Sequence, residues 1–277
     1  MFTVKPERAR SIRKGGMEML KRLENMSWLE VRDAAKETDT ILIPIGAVEQ
    51  QGPHLPLGTD TIVAQYVGEK VAEKANILLA PTIHIGWSQW FKNFPGMISL
   101  RKETATEILR QYCRCLAASG FKHQFFLSPH FANDDIIAEV AIELRDEGII
   151  IGSVNLWHVT NDIIKSRNIS FKEAKFTHAG EVMTSIMMVI APETVKMENA
   201  VAEYAKSALP GCQSSGLFQV IFNKMTFSVF HYTEEDTKSG SYGDPMAATA
   251  EKGQQVIEAW IETIREFIKT FQKYPKA

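Results

Sequence analysis

Residues 41–60, ILIPIGAVEQQGPHLPLGTD, constrain this chain more than any other segment, because an apolar run of five passes directly into a loop dense in potential ligands. Residues 41–45 have the length and composition of a short, fully buried strand. Gly46, Gly52, Pro53, Pro56 and Gly58 then stop it and shape an irregular loop. In an open α/β sheet, ligands bind outside the carboxyl ends of the strands. Glu49, His54 and Asp60 therefore stand where a divalent cation such as Zn, Mn or Fe finds oxygen and nitrogen donors. Spacing alone leaves a plainer reading open: Glu49 as a solvated loop carboxylate, and Asp60 as the N-cap of a helix starting near Thr61.

The order of segments, helices alternating with apolar strands, is the signature of a layered α/β/α domain with a largely parallel central sheet. Helices are expected near 61–74, over 104–119 with Gly120 at the C-cap, over 134–147 and over 247–271. Strands are expected at 77–80, in FKHQFFLSPH, and at 148–155. Residues 161–175 read as a polar stretch, 180–190 as helix or strand because almost every position is apolar, and 218–232 as a β-hairpin or edge strand. No linker, repeat or low-complexity segment divides the chain, so a single domain is expected over 1–277, with 1–27 as an N-terminal helical extension.

At 277 residues, 45% hydrophobic and 23% charged, the chain can bury one sizeable core. A net charge of −2 and the lack of a basic run exclude a nucleic-acid footprint. Cys113, Cys115 and Cys212 form no C-x-x-C pair, which fits reduced structural thiols. The N-terminus lacks the apolar stretch of a secretory signal, and no apolar run approaches the ~18 residues of a membrane span. A cytoplasmic enzyme with a small-molecule substrate is expected.

Three polar clusters follow apolar runs: Glu49 to Asp60, His130 with Asn133, and His178 with Glu181. Strand ends at one sheet edge bring such clusters together, and a Glu, an Asp and a His would form a metal site with positions open to water and substrate. EQQGPHLPLGTD, FPGMISL, HFAN, HAGEVMTS and YGDPMAATAEKG, in that order, resemble the creatininase family of metal-dependent amidohydrolases from about Trp28 to the C-terminal helix.

The resemblance implies a single α/β domain, a homo-oligomer (commonly a hexamer) and one or two divalent cations. It puts Glu49, Asp60 and His130 on the first metal. The family's second-metal positions carry Gln51, Ala132 and Met183, which lack the charge and donors of hard ligands. One cation, Mn, Zn or Fe, is therefore expected.

His178 matches the family's proton-shuttling histidine, with an ordinary pKa near ~6.5 suited to that work. Glu181 is grouped with it at the catalytic end, where capping or a hydrogen bond behind the ligands suits it better than ligation. His54, Gln51, Trp90 and Asn133 are expected to shape the substrate pocket, with Trp87 and Phe91 extending an aromatic wall. The implied function is metal-dependent hydrolysis that opens a small polar cyclic substrate, a cyclic amide or a cyclic ketone or cyclitol derivative. The alternative is an inactive family member serving as a binding or scaffold subunit.

Overall fold

The computed structural model describes residues 20–173, 175–206 and 209–275. Five parallel strands, β1 (Lys21–Arg22), β2 (Thr40–Pro44), β3 (Leu78–Leu79), β4 (His123–Ser128) and β5 (Ile150–Asn155), lie in the order β1-β3-β2-β4-β5. Helices α1 (Trp28–Glu37), α2 (Thr59–Ala75), α3 (Lys102–Ala118), α4 (Asn133–Arg145), α5 (Leu156–Ser166), α6 (Glu181–Ile190) and α7 (Ala250–Phe271) cover both faces. The largely parallel α/β/α architecture is as the segment order implies.

Alternation along the strands divides the core in two. Leu42 in β2 and Phe125 and Leu127 in β4 pack with α2, α5, α6 and α7, whereas Ile41, Ile43 and Phe126 pack with α1, α3 and α4. Burial on both faces is why residues 41–45 read as a continuous apolar run rather than an alternating one.

The topology also fixes where a site can form. From β2 the chain passes through α2 to β3 on one side, while from β4 it passes through α4 to β5 on the other. The connections thus diverge at the adjacent carboxyl ends of β2 and β4, and a crevice opens between them.

Four segments differ from the sequence reading or sharpen it. Of the expected N-terminal helical extension, residues 20–27 hold β1 and a 3-10 turn (Leu23–Asn25) because Lys21 and Arg22 pair with β3; residues 1–19 lie outside the described residues. The stretch expected to be polar, 161–175, begins inside α5, whose first turn is capped by the Asn155 side chain accepting from the backbone N–H groups of Trp157 and His158. Residues 181–190 are helical, wedged against α2 and α7, which explains an apolar residue at nearly every position. The expected hairpin is a three-stranded antiparallel meander, β6 (Gln213–Gly216), β7 (Gln219–Phe222) and β8 (Met225–Ser228). No helix among the described residues is long and apolar enough to cross a membrane.

Candidate metal centre and cavity

Glu49 follows β2, Asp60 sits in the first turn of α2, and His130 follows β4, so the crevice gathers all three. Each is buried, and each offers a ligand atom within 4.8 Å of the others. His130 Nδ1 lies 3.2 Å from Glu49 Oε2 and 3.2 Å from Asp60 Oδ2. Asp60 does not cap α2, whose N-cap is Gly58 without a side-chain bond. Its carboxylate is committed to the cluster.

The other nitrogen of His130 settles what the cluster requires. Nε2 is 2.8 Å from the carbonyl oxygen of Trp87, which can only accept, so Nε2 carries the proton. Nδ1 therefore faces two carboxylates, an arrangement that only a positive charge among them makes favourable, carried by a proton on the ring itself or by a cation that Nδ1 ligates once that proton has left. Glu49 Oε2 and Asp60 Oδ1 are moreover buried without a hydrogen-bond partner. Burial, reinforced by the charge of Glu49 and opposed by His130, pushes Asp60 up to about 7. Burial opposes a charged His130, but Glu49 and Asp60 overcome it and hold the ring well above its ordinary value. The donor set of two carboxylates and one imidazole, with unused lone pairs, fits a divalent cation.

Above the cluster opens a cavity of about 850 Å³. Glu49, Asp60, His130, Trp90 and His178 line it, together with Trp157, Phe176, Tyr242 and the meander residues Ser214–Gly216, Leu217 and Gln219. His178 stacks on Phe91 with ring centroids 5.0 Å apart and meets the edge of Tyr242. Its Nε2 is 2.9 Å from the Gln50 carbonyl oxygen and 3.1 Å from the Gln50 amide nitrogen; in the tautomer that donates to the nearer carbonyl, Nδ1 holds the lone pair. Burial lowers its pKa despite the charge of Glu49, which keeps the ring neutral at neutral pH. Trp90 packs edge-on to Trp87 and Phe218, and its indole N–H has no partner.

Several expected site residues stand elsewhere. Gln51 does not line the cavity: fully buried, it donates through Nε2 to Glu49 Oε1 at 3.1 Å and so orients that carboxylate. His54 lies behind the wall, 2.9 Å from Thr184 Oγ1, and burial pushes its pKa down to about 4. Asn133 ties the two strand ends together, its amide nitrogen donating to the Gly46 carbonyl and to Ser128 Oγ. Glu181 is not a cavity residue, because its carboxylate is taken up by the backbone N–H groups of Lys172 and Glu173 and by Lys252.

The sequence reading overlooked the Gln50 and Trp87 carbonyls, Ser88, whose hydroxyl lies 3.0 Å from His130 Nε2, Glu173 and the meander lining. Backbone carbonyls carry no sequence signal, and β6 has no alternation that marks a strand. Asn155, followed by apolar positions at helical spacing, was the one signal that could have revealed α5 and with it Trp157.

Residues 24–268 match the family model described as Creatininase, creatinine amidohydrolase. The 3-dehydro-scyllo-inosose hydrolase of Thermotoga maritima is 25% identical over 268 residues, covering 91% of this chain and 84% of that protein. The mycofactocin precursor peptide peptidase of Mycobacterium ulcerans is 30% identical over 235 residues, covering 80% of this chain and 82% of its own. The fold matches a crystal structure of creatinine amidohydrolase with a TM-score of 0.76 at 23% identity, over 92% of this chain and 98% of that one.

Proposed function

The chain belongs to the creatininase family, and from that premise we propose that it is a metal-dependent hydrolase opening a small polar cyclic substrate, either a cyclic amide or a cyclic ketone of the cyclitol kind. The observation that carries this reading is His130, whose Nδ1 meets two buried carboxylates at one point at the floor of the cavity. Glu49, Asp60 and His130 would hold one divalent cation, Mn, Zn or Fe. When bound there, such a cation polarises a substrate carbonyl and lowers the pKa of water.

The chain's own residues supply the rest. His178 presents Nδ1 as a base and returns the proton to the departing atom, its ring held by Phe91 and by the Gln50 carbonyl. Trp90 and Phe91 wall the cavity, exclude water and offer faces to a ring-shaped substrate. Gln51 holds Glu49 in place by its amide, while Ala132 and Met183 are buried and bring no donor, so the charge at the floor suits a single cation.

A second reading, hydrolysis of an amide within a peptide, draws on the cavity. About 850 Å³ lies at the upper end of the range for drug-sized ligands and exceeds what one small ring fills. The name of the mycobacterial relative points the same way. An inactive binding subunit is disfavoured by a full set of metal-ligand candidates beside a neutral histidine. Assembly as a homo-oligomer, a hexamer by family resemblance, accords with the exposed Phe222, Met225 and Phe227 on the meander.

The test is turnover by protein loaded with Mn, Zn or Fe(II), offered lactams, cyclic ketones, cyclitols and short peptides, beside His178→Ala. Ring opening lost in the variant is the expected result. Peptide cleavage alone moves the second reading to first place, and binding without turnover favours the inactive subunit.

A further inference from the structure

The loop that carries His178 is closed by two buried carboxylates that hold each other's backbone. Glu173 Oε2 accepts from the Glu181 N–H at 2.8 Å, and Glu181 Oε2 accepts from the Glu173 N–H at 3.0 Å. Each carboxylate accepts two further hydrogen bonds. Thr177 Oγ1 donates to Glu173 Oε2 at 2.8 Å, and the Asp244 N–H donates to Glu173 Oε1 at 2.9 Å. The Lys172 N–H donates to Glu181 Oε2 at 2.7 Å, while Lys252 Nζ reaches in from α7 to Glu181 Oε1 at 2.6 Å. Glu173 is 8% exposed and Glu181 0%.

The clasp fits too tightly to be incidental. A Cβ on Gly180 would lie 2.4 Å from Glu173 Oε2, and one on Gly243 would lie 2.4 Å from Glu173 Oε1. Both segments approach the carboxylate as only glycine allows. Ala179, next to His178, holds a left-handed φ of 55°, a conformation that persists only when its surroundings impose it. The segment drawn in by Glu173 through Asp244 also includes Tyr242, whose N–H donates to the His178 carbonyl at 2.9 Å.

We propose that Glu173 and Glu181 are positioning residues for His178: their reciprocal clasp fixes the ring against the Gln50 carbonyl and Phe91, and so sets where its free nitrogen stands in the cavity. This rests on the proton-transfer role proposed above for His178. Neither carboxylate touches the cation ligands. Glu181 thus acts on the site through the loop and not on the substrate.

The test compares wild type with Glu173→Gln and Glu181→Gln. An amide in place of either carboxylate turns a donor toward backbone N–H groups and opens one side of the clasp. Three quantities are read on the metal-loaded protein: metal per chain, kcat and KM on whichever probe the wild type turns over, and the ¹⁵N ring signals of His178, assigned by their loss in His178→Ala. Metal content is expected to stay at the wild-type value while the His178 signals shift or broaden. kcat is expected to fall about 100-fold, the usual cost of a misplacement near 1 Å, with KM within about threefold.

Unchanged His178 signals and kcat in both variants would overturn the proposal, as would a loss of metal equal to the loss of rate. If Glu173→Gln does not fold, Thr177→Val, which deletes a single donor, is read by the same signals. If the wild type turns over none of the probes, the functional reading fails separately, and the His178 signals still decide the clasp.

Discussion

Replacing Asp60 by Asn should stabilise the metal-free protein and weaken its grip on metal at the same time. Burial and the neighbouring Glu49 raise the Asp60 carboxyl from 3.8 to about 7. Between those two values the unfolded chain has released this proton and the folded one retains it. The fold therefore loses stability as pH rises from about 4 to about 7, reaching a loss of about 4 kcal/mol at pH 8. Asn removes that charge. Its amide, placed where Asp60 Oδ1 has no partner, leaves a buried group unsatisfied at a cost of about 1–3 kcal/mol.

The net gain is about 2 kcal/mol, which at this chain length raises the unfolding midpoint by about 4–8 °C. The assay is thermal unfolding in chelator at pH 5 and pH 8, then with added Mn or Zn. The variant should melt higher than wild type at pH 8, lose most of that advantage at pH 5, and gain little from metal, whereas wild type gains several degrees. A variant that melts lower than wild type in chelator at pH 8, or gains as much from metal, would refute the electrostatic reading of the cluster.

Three further outcomes are expected. Gly253→Ala would put a Cβ 2.0 Å from the Ser185 carbonyl oxygen where α6 and α7 cross, so a loss of about 3 kcal/mol or more is expected by denaturant unfolding. Lys252→Met strands the fully buried Glu181 carboxylate without its ammonium partner and should cost about 3 kcal/mol in the same assay, with metal content intact. Trp90→Ala removes the aromatic wall of the cavity and should raise KM about tenfold without changing metal per chain, read by steady-state kinetics beside elemental analysis.

The sheet was legible because β2 and β4 are buried on both faces, and such strands must be written as apolar runs. The gathering of Glu49, Asp60 and His130 was legible too, since each follows or flanks a strand end at the switch point. What the sequence could not carry is side-chain direction. Gln51, His54 and Asn133 sit in the right motifs yet turn away from the cavity, each captured by a buried partner: Glu49, Thr184 and the Gly46 carbonyl. Glu181 occupies the first turn of α6, where its carboxylate folds back onto the preceding backbone, an interaction set by loop geometry and not by spacing.

Other features were hidden for local reasons. α5 was missed because Asn155 ends β5 and caps the helix at once, leaving no turn residue between them to mark the change. The meander was half seen: β7 and β8 join through Asn223 and Lys224, both at positive φ, but β6 is a polar QSSG segment with no alternation.

Metal per chain tests the central claim most directly, measured by elemental mass spectrometry on protein purified without chelator, beside His130→Ala. Close to one equivalent of Mn, Zn or Fe in the wild type, and none in the variant, is the expected result. Two equivalents would contradict the single-cation centre. No metal even after reconstitution, or an equal amount in His130→Ala, would contradict the assignment of Glu49, Asp60 and His130 as its ligands.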